Sequence, residues 1–532
     1  MKIREILLLL LLAIGQVKAF SQNTPGYTNP VVRGINPDPS ICRVHDNFYL
    51  VTGSNMYPGI PVYHSKDLIN WELIGHCLTR ASHFFLDQNN GSPVMYAPTL
   101  RYNKGIFYMI TTDVAGGGNF FVTATNPAGP WSDPVQIDKG VFDPSLFFDD
   151  NGKVYYTRRG DFKDKNIVQA EIDIKTGKLL TPLKAISKGL VSTDTEAPHI
   201  FKKGGWYYLT MGEGGSRALH MQTIARSKSP WGPFEKNPAN PIISQHNAWW
   251  YHIRALGHAD FIDAPNGSSW AVCLGTRHSG YDAFSVIGRE TYLLPVEWKN
   301  GWPVVKPAHQ RYLDIKTHTL PLQPWAAVPE QDEFDRTTLG LQWNMLAYPT
   351  TKWYSLTEKP GYLRLYGTAE KPDFSKQTAF VGLRQKEMSG ECSIEMEFNP
   401  TAENEEAGIT VFQSANFHYD FFVTMRNGRQ VAVLRKSVGD MSEEAAGVSC
   451  TGNAFQMRIQ FDTDSYHFLV KQNDQWVEVG KGISNLIATE VAQVWTGAYI
   501  GMYSTGNGSA CKNPADYNWF KANFKEVVFN YF

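Results

Sequence analysis

The sequence predicts an all-β chain in two domains: a five-bladed β-propeller followed by a β-sandwich of jelly-roll or concanavalin-like type. Three observations carry this. A hairpin unit recurs five times, the second half alternates apolar and polar residues, and no long amphipathic helical pattern occurs in the 532 residues. A chain of that length is too long for one hydrophobic core, so two domains are expected.

The repeat comes first. Asp38-Pro39-Ser40-Ile41 is followed by Asp46-Asn47 and Phe48-Tyr49-Leu50. Ala97-Pro98-Thr99-Leu100 leads to Lys104-Gly105 and Ile106-Phe107-Tyr108-Met109. Asp143-Pro144-Ser145-Leu146 leads to Asn151-Gly152 and Val154-Tyr155-Tyr156. Ala197-Pro198-His199-Ile200 leads to Gly204-Gly205 and Trp206-Tyr207-Tyr208-Leu209. His258-Ala259-Asp260-Phe261 leads to Asn266-Gly267 and Trp270-Ala271-Val272. Each unit reads as a short strand, a tight Gly/Asn/Asp turn and an aromatic-rich strand, a β-hairpin signature. The copies start at residues 38, 97, 143, 197 and 258, intervals that suit a four-stranded blade with its loops. Residues 30–322 are read as the propeller. The Pro- and Trp-rich stretch from Trp298 to Pro324 is read as a wrap, leading into a linker at 323–331. From residue 332 to 532 the texture changes. Cys392–Phe398, Tyr419–Val423 and Met457–Phe461 alternate as an antiparallel sandwich with one polar face would.

In a propeller the innermost strand of each blade lines the axis, so the start of every repeat delivers a side chain to one funnel. Asp38, Asp143 and His258 stand at matching positions of three blades, and Glu196 stands one residue before that position in a fourth. Taken singly, each has a plainer reading: Asp before Pro starts turns, Glu196 is a solvated loop residue, and His258 is a hydrogen-bonded structural histidine. Four ionisable groups at or beside equivalent points of four blades favour a shared site. Two carboxyl groups on opposite sides of an anomeric carbon are what glycosidic hydrolysis needs, one donating a proton and the other either activating water or attacking directly. A third carboxylate raises the pKa of the acid by like-charge repulsion. The chain is 13% aromatic, with 15 Trp and 25 Tyr, which suits sugar rings as well as a large β core. Its net charge of −1 argues against nucleic acid or an anionic membrane as the main partner.

Lys2 and Arg4 precede an apolar run from Ile6 to Ile14 and a small-residue site near Val17-Lys18-Ala19. Residues 1–19 read as a cleaved signal peptide, too short to span a bilayer, so the mature protein is expected to be exported, periplasmic or secreted, with no membrane association. The six cysteines are scattered and lack a C-x-x-C pair, which argues against zinc. Most read as buried small hydrophobes, and Cys450 with Cys511 is the one pairing the sequence leaves open. N-x-S sequons occur at Asn90, Asn266 and Asn507.

Several ordered motifs make the reading specific. They are Ile35-Asn36-Pro37-Asp38-Pro39-Ser40-Ile41, Pro61–Leu68, Val141-Phe142-Asp143-Pro144-Ser145-Leu146, Glu196-Ala197-Pro198-His199, Gly257-His258-Ala259-Asp260 and Gly288-Arg289-Glu290-Thr291. Together they resemble glycoside hydrolase family 43, the family of β-xylosidases and α-L-arabinofuranosidases. The stretch from Glu333 through Ala515–Phe520 resembles the β-sandwich that follows the propeller in some members. The resemblance implies inversion of configuration, with Asp38 as general base, Glu196 as general acid and Asp143 orienting and tuning the acid. Phe142 and Arg289 would contact the sugar, and His258 would lie beneath the site, where some relatives hold a calcium or a water. No cofactor is required, and a structural calcium at His258 is the one metal the resemblance leaves open.

The chain also departs from the xylosidase pattern. Those relatives carry a Phe-Glu-Trp-Phe-Pro-Gly segment where this chain has Ser54-Asn55-Met56-Tyr57-Pro58-Gly59, and a Trp-Ala-Pro where it has Tyr96-Ala97-Pro98. Ser54 thus replaces a Phe that would wall a xylopyranose pocket. The expectation is an exo-acting α-L-arabinofuranosidase that trims terminal residues from plant hemicellulose side chains or oligosaccharides. A β-D-xylosidase or dual activity is the alternative, and a non-catalytic sugar-binding propeller the alternative from another class. An invertase-type fructan hydrolase fits less well, because that class sets its Asp in Asn-Asp-Pro-Asn and follows its Glu with Cys. The sandwich is expected to clamp the propeller and lend one loop to the pocket.

Overall fold

A computed structural model describes residues 26–85, 94–246, 251–279, 284–306, 313–316, 318–445 and 447–527. The signal-peptide segment and the Asn90 sequon lie outside them. Five four-stranded antiparallel blades follow one another along the chain, the fourth with one added short strand. Their innermost strands are Ser40–Val44, Met95–Asn103, Ser145–Phe148, Glu196–Lys203 and Ile253–Asp263. These are the five strands that open the sequence repeat. The stretch from Trp298, read as a wrap, is still blade 5 as far as Val305: Arg289–Lys299 pairs with Trp302–Val305 as its outer hairpin. The ring is tied shut beyond it, where Tyr27–Thr28 pairs with Asp314–Ile315. Asn29 reinforces the tie by donating to the Leu293 carbonyl and accepting from its N–H, both at 2.9 Å.

The second domain is a sandwich of two antiparallel sheets. Period-two alternation holds in the outer sheet: along Ala454–Phe461 the residues at 455, 457, 459 and 461 are buried and join the core with Ile394, Ile409 and Phe421. The other sheet departs from the expected single polar face. Tyr419–Val423 is buried on both sides, because Phe380, Phe412, Phe422, Tyr499 and Tyr503 pack against Ile35 and Met56 of the propeller. A sheet face that looks outward in an isolated sandwich is here a domain interface. Cys450 and Cys511 are unbonded. The Cys450 thiol donates to the Val448 carbonyl, while the Cys511 sulfur lies by Ser504, so each is engaged within its own surroundings.

Beside the apolar contact lies a buried ionic lock. Arg277 makes a two-pronged pair with Glu290 of its own blade, at 2.7 and 2.9 Å, and reaches Glu387 of the sandwich at 2.7 Å. Arg33 binds the other oxygen of Glu387. Removing one member of a buried pair strands the other's charge, so Glu387→Ala is expected to destabilise the protein by about 3 kcal/mol. Urea unfolding would measure this, and an unchanged midpoint would show that the lock contributes nothing.

Candidate active site

The backbone explains why the repeat delivers side chains to the axis. Asp38, Ala97, Asp143, Ala197 and His258, the equivalent residues of the five units, all have left-handed φ: 53°, 32°, 62°, 52° and 52°. None is glycine, so each position carries a local cost of about 1–2 kcal/mol that the surrounding sheet must hold in place. In blades 2, 4 and 5 the strand register shifts there, between Tyr96 and Thr99, Glu196 and His199, and Gly257 and Asp260. Such a bulge re-aims the chain. It turns this residue and the one before it toward one end of the axis. Pro37, Asp38, Tyr96, Phe142, Asp143, Glu196 and His258 accordingly line a single pocket of about 370 Å³, with Ser54 and Arg289 beside them. Every site residue expected from the sequence is there.

The pocket has a floor. A polar plug crosses the axis below the carboxylates, one side chain from each blade. Arg101 pairs with Asp260 at 2.7 Å, Ser40 donates to Asp260 at 2.7 Å, and the His199 Nδ1 meets both Arg101 and Ser145, at 3.1 and 3.0 Å. Burial alone would raise the Asp260 pKa, but Arg101, His199 and the Ser40 hydroxyl together outweigh it and hold the carboxylate down to about 2. The funnel is therefore blind.

The three carboxyl groups are each only 7% exposed. Asp38 accepts from Arg289 Nη1 at 2.9 Å and faces His258 Nδ1 at 3.5 Å. The Oδ2 of Asp143 accepts the Ala197 N–H at 2.8 Å, which ties it to the strand that bears Glu196. The Oε1 of Glu196 accepts from Ser216 at 3.2 Å and faces His220 at 3.6 Å, while its Oε2 faces Arg159 at 3.9 Å. Burial, and then the Asp38 charge, push Glu196 up to about 7, against Arg159 and Arg289. Burial, and then the charges of Glu196 and Asp38, hold Asp143 well above the usual carboxylate range. Three carboxylates so enclosed cannot all be ionised at neutral pH, so the site keeps a proton to give.

An aromatic surface stands around them. Tyr96, Phe142 and Phe162 run in series, with ring centres 6.0 and 5.9 Å apart, and the Arg159 guanidinium lies 5.1 Å over Phe142. Phe162 is 67% exposed at the mouth. The sandwich closes one side with Trp495 and Thr496. That segment is strapped down: Ala498 N–H donates to Val286, Thr489 N–H to Ser285, and Arg289 Nε to the Trp495 carbonyl. Gly497 lies so close to Ile287 that a Cβ there would stand 1.7 Å from its carbonyl oxygen. The surroundings of His258 do not suit a calcium ion, which takes six to eight oxygens. Its neighbours include the His199 ring, 6.5 Å away between centres, and the Arg289 cation that shares Asp38 with it. Among the described residues no three His, Cys, Asp or Glu side chains converge to hold a metal.

Sequence reasoning missed Arg159, Phe162, Ser216, His220 and Trp495. For Ser216 and His220 a signal existed, the Gly214-Gly215-Ser216 loop at the end of an aromatic strand. Trp495 carried none, since it reaches the pocket only through domain docking.

A blind propeller funnel with three buried carboxyl groups and an aromatic wall defines the machinery of a glycosidase. The family model for glycosyl hydrolases family 43 matches residues 27–303, and that for the β-xylosidase C-terminal concanavalin A-like domain matches residues 331–523. The chain belongs to glycosyl hydrolases family 43 and is a glycoside hydrolase. It is 42% identical, over 96% of its length and 98% of the other's, to a non-reducing end α-L-arabinofuranosidase of Bacteroides ovatus. It is 36% identical to a xylosidase/arabinosidase of Butyrivibrio fibrisolvens, over 92% of this chain and 98% of that one. Among solved structures it is similar to a Bacteroides ovatus protein described as xyloglucan PUL GH43B. The TM-score is 0.88 and the identity 40%, over 94% of this chain and 100% of the other.

Proposed function

We propose that the protein is an exo-acting, inverting α-L-arabinofuranosidase that releases terminal non-reducing arabinofuranosyl residues from hemicellulose side chains or oligosaccharides. The blind floor carries this reading, because a closed funnel admits only a chain end. The arabinofuranosidase name of the Bacteroides ovatus relative supports the sugar. In this reading Asp38, fixed by Arg289, activates water, Glu196 protonates the leaving oxygen, and Asp143 positions the acid by gripping the N–H of Ala197, the next residue on the strand of Glu196. The second reading, β-D-xylosidase or dual activity, is favoured by the xylosidase/arabinosidase name of the Butyrivibrio fibrisolvens relative. Export is supported by the charged, apolar and small-residue pattern of residues 1–19.

Nitrophenyl α-L-arabinofuranoside and β-D-xylopyranoside separate the two sugars, and Ser54 supplies a structural handle. It is 3% exposed on the pocket wall, its hydroxyl accepting the Met56 N–H at 3.2 Å. Ser54→Phe fills space on that wall and is expected to shift the ratio of kcat/KM toward the xylopyranoside by about 1–3 kcal/mol. An unchanged ratio would show that position 54 does not select the sugar. Release of longer oligosaccharides at the start of digestion would contradict the exo reading.

A further inference from the structure

We infer that His220 is a positioning residue for the reaction: its unprotonated Nε2 faces the Glu196 carboxyl and holds it in the proton-bearing form. The inference rests on the reading of Glu196 as general acid.

The geometry fixes the tautomer. His220 Nδ1 lies 3.0 Å from the Ala255 carbonyl oxygen. A carbonyl only accepts, so the ring proton sits on Nδ1 and Nε2 carries a lone pair. The side chain is fully buried, and among the described residues Nε2 has no hydrogen-bond partner. An orphaned buried acceptor is uncommon and calls for a reason. The group in front of it is Glu196 Oε1, at 3.6 Å.

The sheet makes room for the ring at this spot. A Cβ on Gly257 would stand 2.6 Å from its Cε1, and one on Gly212 would stand 3.1 Å from Nε2. Neither glycine has a left-handed φ, so both are needed for space rather than for backbone freedom. Gly212 is also the cross-strand partner of Glu196. The ring is thus wedged between the strand of the acid and the innermost strand of blade 5.

A lone pair aimed at Oε1 repels a carboxylate and accepts from a carboxylic acid, so it favours the protonated state. Other groups act on the same carboxyl. Asp38 adds like charge from blade 1, Asp143 shares the coupled titration from blade 3, and Arg159, Arg289 and the Ser216 hydroxyl favour ionisation. His220 itself stays neutral through the working range. Burial holds its pKa down to about 4, with His258 and Arg289 adding to the depression and Ala255 and Asp38 opposing it. His220 takes no proton in turnover. The proton remains on Glu196 until the leaving oxygen receives it.

Two variants separate positioning from packing. His220→Asn keeps a donor for Ala255 but is too short to reach Glu196, whereas His220→Gln brings an amide oxygen to where Nε2 was. For each, kcat/KM is measured against pH on aryl glycosides with poor and with good leaving groups, with thermal unfolding in parallel. In His220→Asn the alkaline limb is expected to move about one unit to lower pH, with about a fivefold loss at pH 7 on the poor leaving group, approaching tenfold at higher pH, and much less on the good one. His220→Gln should recover most of that loss. An unmoved alkaline limb, or equal losses on both substrates, would overturn the inference. Glu196→Gln is run alongside. If it too loses equally on both substrates, the acid assignment fails and the inference falls with it. If it behaves as an acid variant while the His220→Asn limb stays fixed, the inference alone falls.

Discussion

Asp38→Asn is expected to lower kcat by on the order of 10³–10⁴ on every substrate, good leaving groups included, because a better leaving group does not replace the base that activates water. The amide keeps the shape of the side chain, so folding should be preserved. It forfeits the charged contact with Arg289 at 2.9 Å and the facing of His258 at 3.5 Å. A second consequence carries a definite sign. The Asp38 charge is one of the causes that raise Glu196 to about 7. Removing it lowers the Glu196 pKa, so residual activity should show an alkaline limb displaced to lower pH. The parent enzyme should release sugar of inverted configuration, observable by NMR before mutarotation. Retained configuration, or near-normal turnover by the Asn variant, would remove Asp38 from the role of base.

Glu196→Gln should divide substrates by leaving group. An oligosaccharide or alkyl glycoside needs its departing oxygen protonated, and a loss of on the order of 10²–10⁴ is expected there. A nitrophenyl glycoside departs as a stabilised phenolate and should lose far less. In the parent enzyme the poor-leaving-group rate should decline above about pH 7, as burial and Asp38 together set the acid's pKa. In Glu196→Gln that decline should vanish, because the titrating group is gone. Persistence of the same alkaline limb would assign it to another group, and Asp143, coupled to Glu196 and itself raised, would be the first to test.

The local pattern of the chain carried a large part of this site. Pro37-Asp38, Tyr96-Ala97, Phe142-Asp143, Glu196-Ala197 and Gly257-His258 are five copies of one two-residue position. Each sits at or just before the head of an innermost strand, or in blade 5 at the bulge within it, and that is visible wherever a hairpin repeat can be aligned with itself. The reason is physical: a propeller repeats one backbone geometry around an axis, so equivalent places in the repeat become neighbours in space. Glu196, offset by one residue, fits the same geometry. The residue after it, Ala197, takes the left-handed turn, and its N–H is what Asp143 grips.

What no linear pattern displayed was whatever arose between units. The plug of Ser40, Arg101, Ser145, His199 and Asp260 makes the funnel blind only because five strands bring residues two to four places further on to one axis. The buried outer face of Phe380, Phe412 and Phe422 reads as ordinary strand sequence until the propeller covers it. Trp495, far along the chain, joins the wall because Gly497 lets two backbones nearly touch. Period and turn chemistry, which act over a few residues, determined the fold class, the two domains and the three carboxylates. Pocket depth, the protonation of Glu196 and the closure by the sandwich depend on burial and on charges from distant segments. Those were decided only by the tertiary structure.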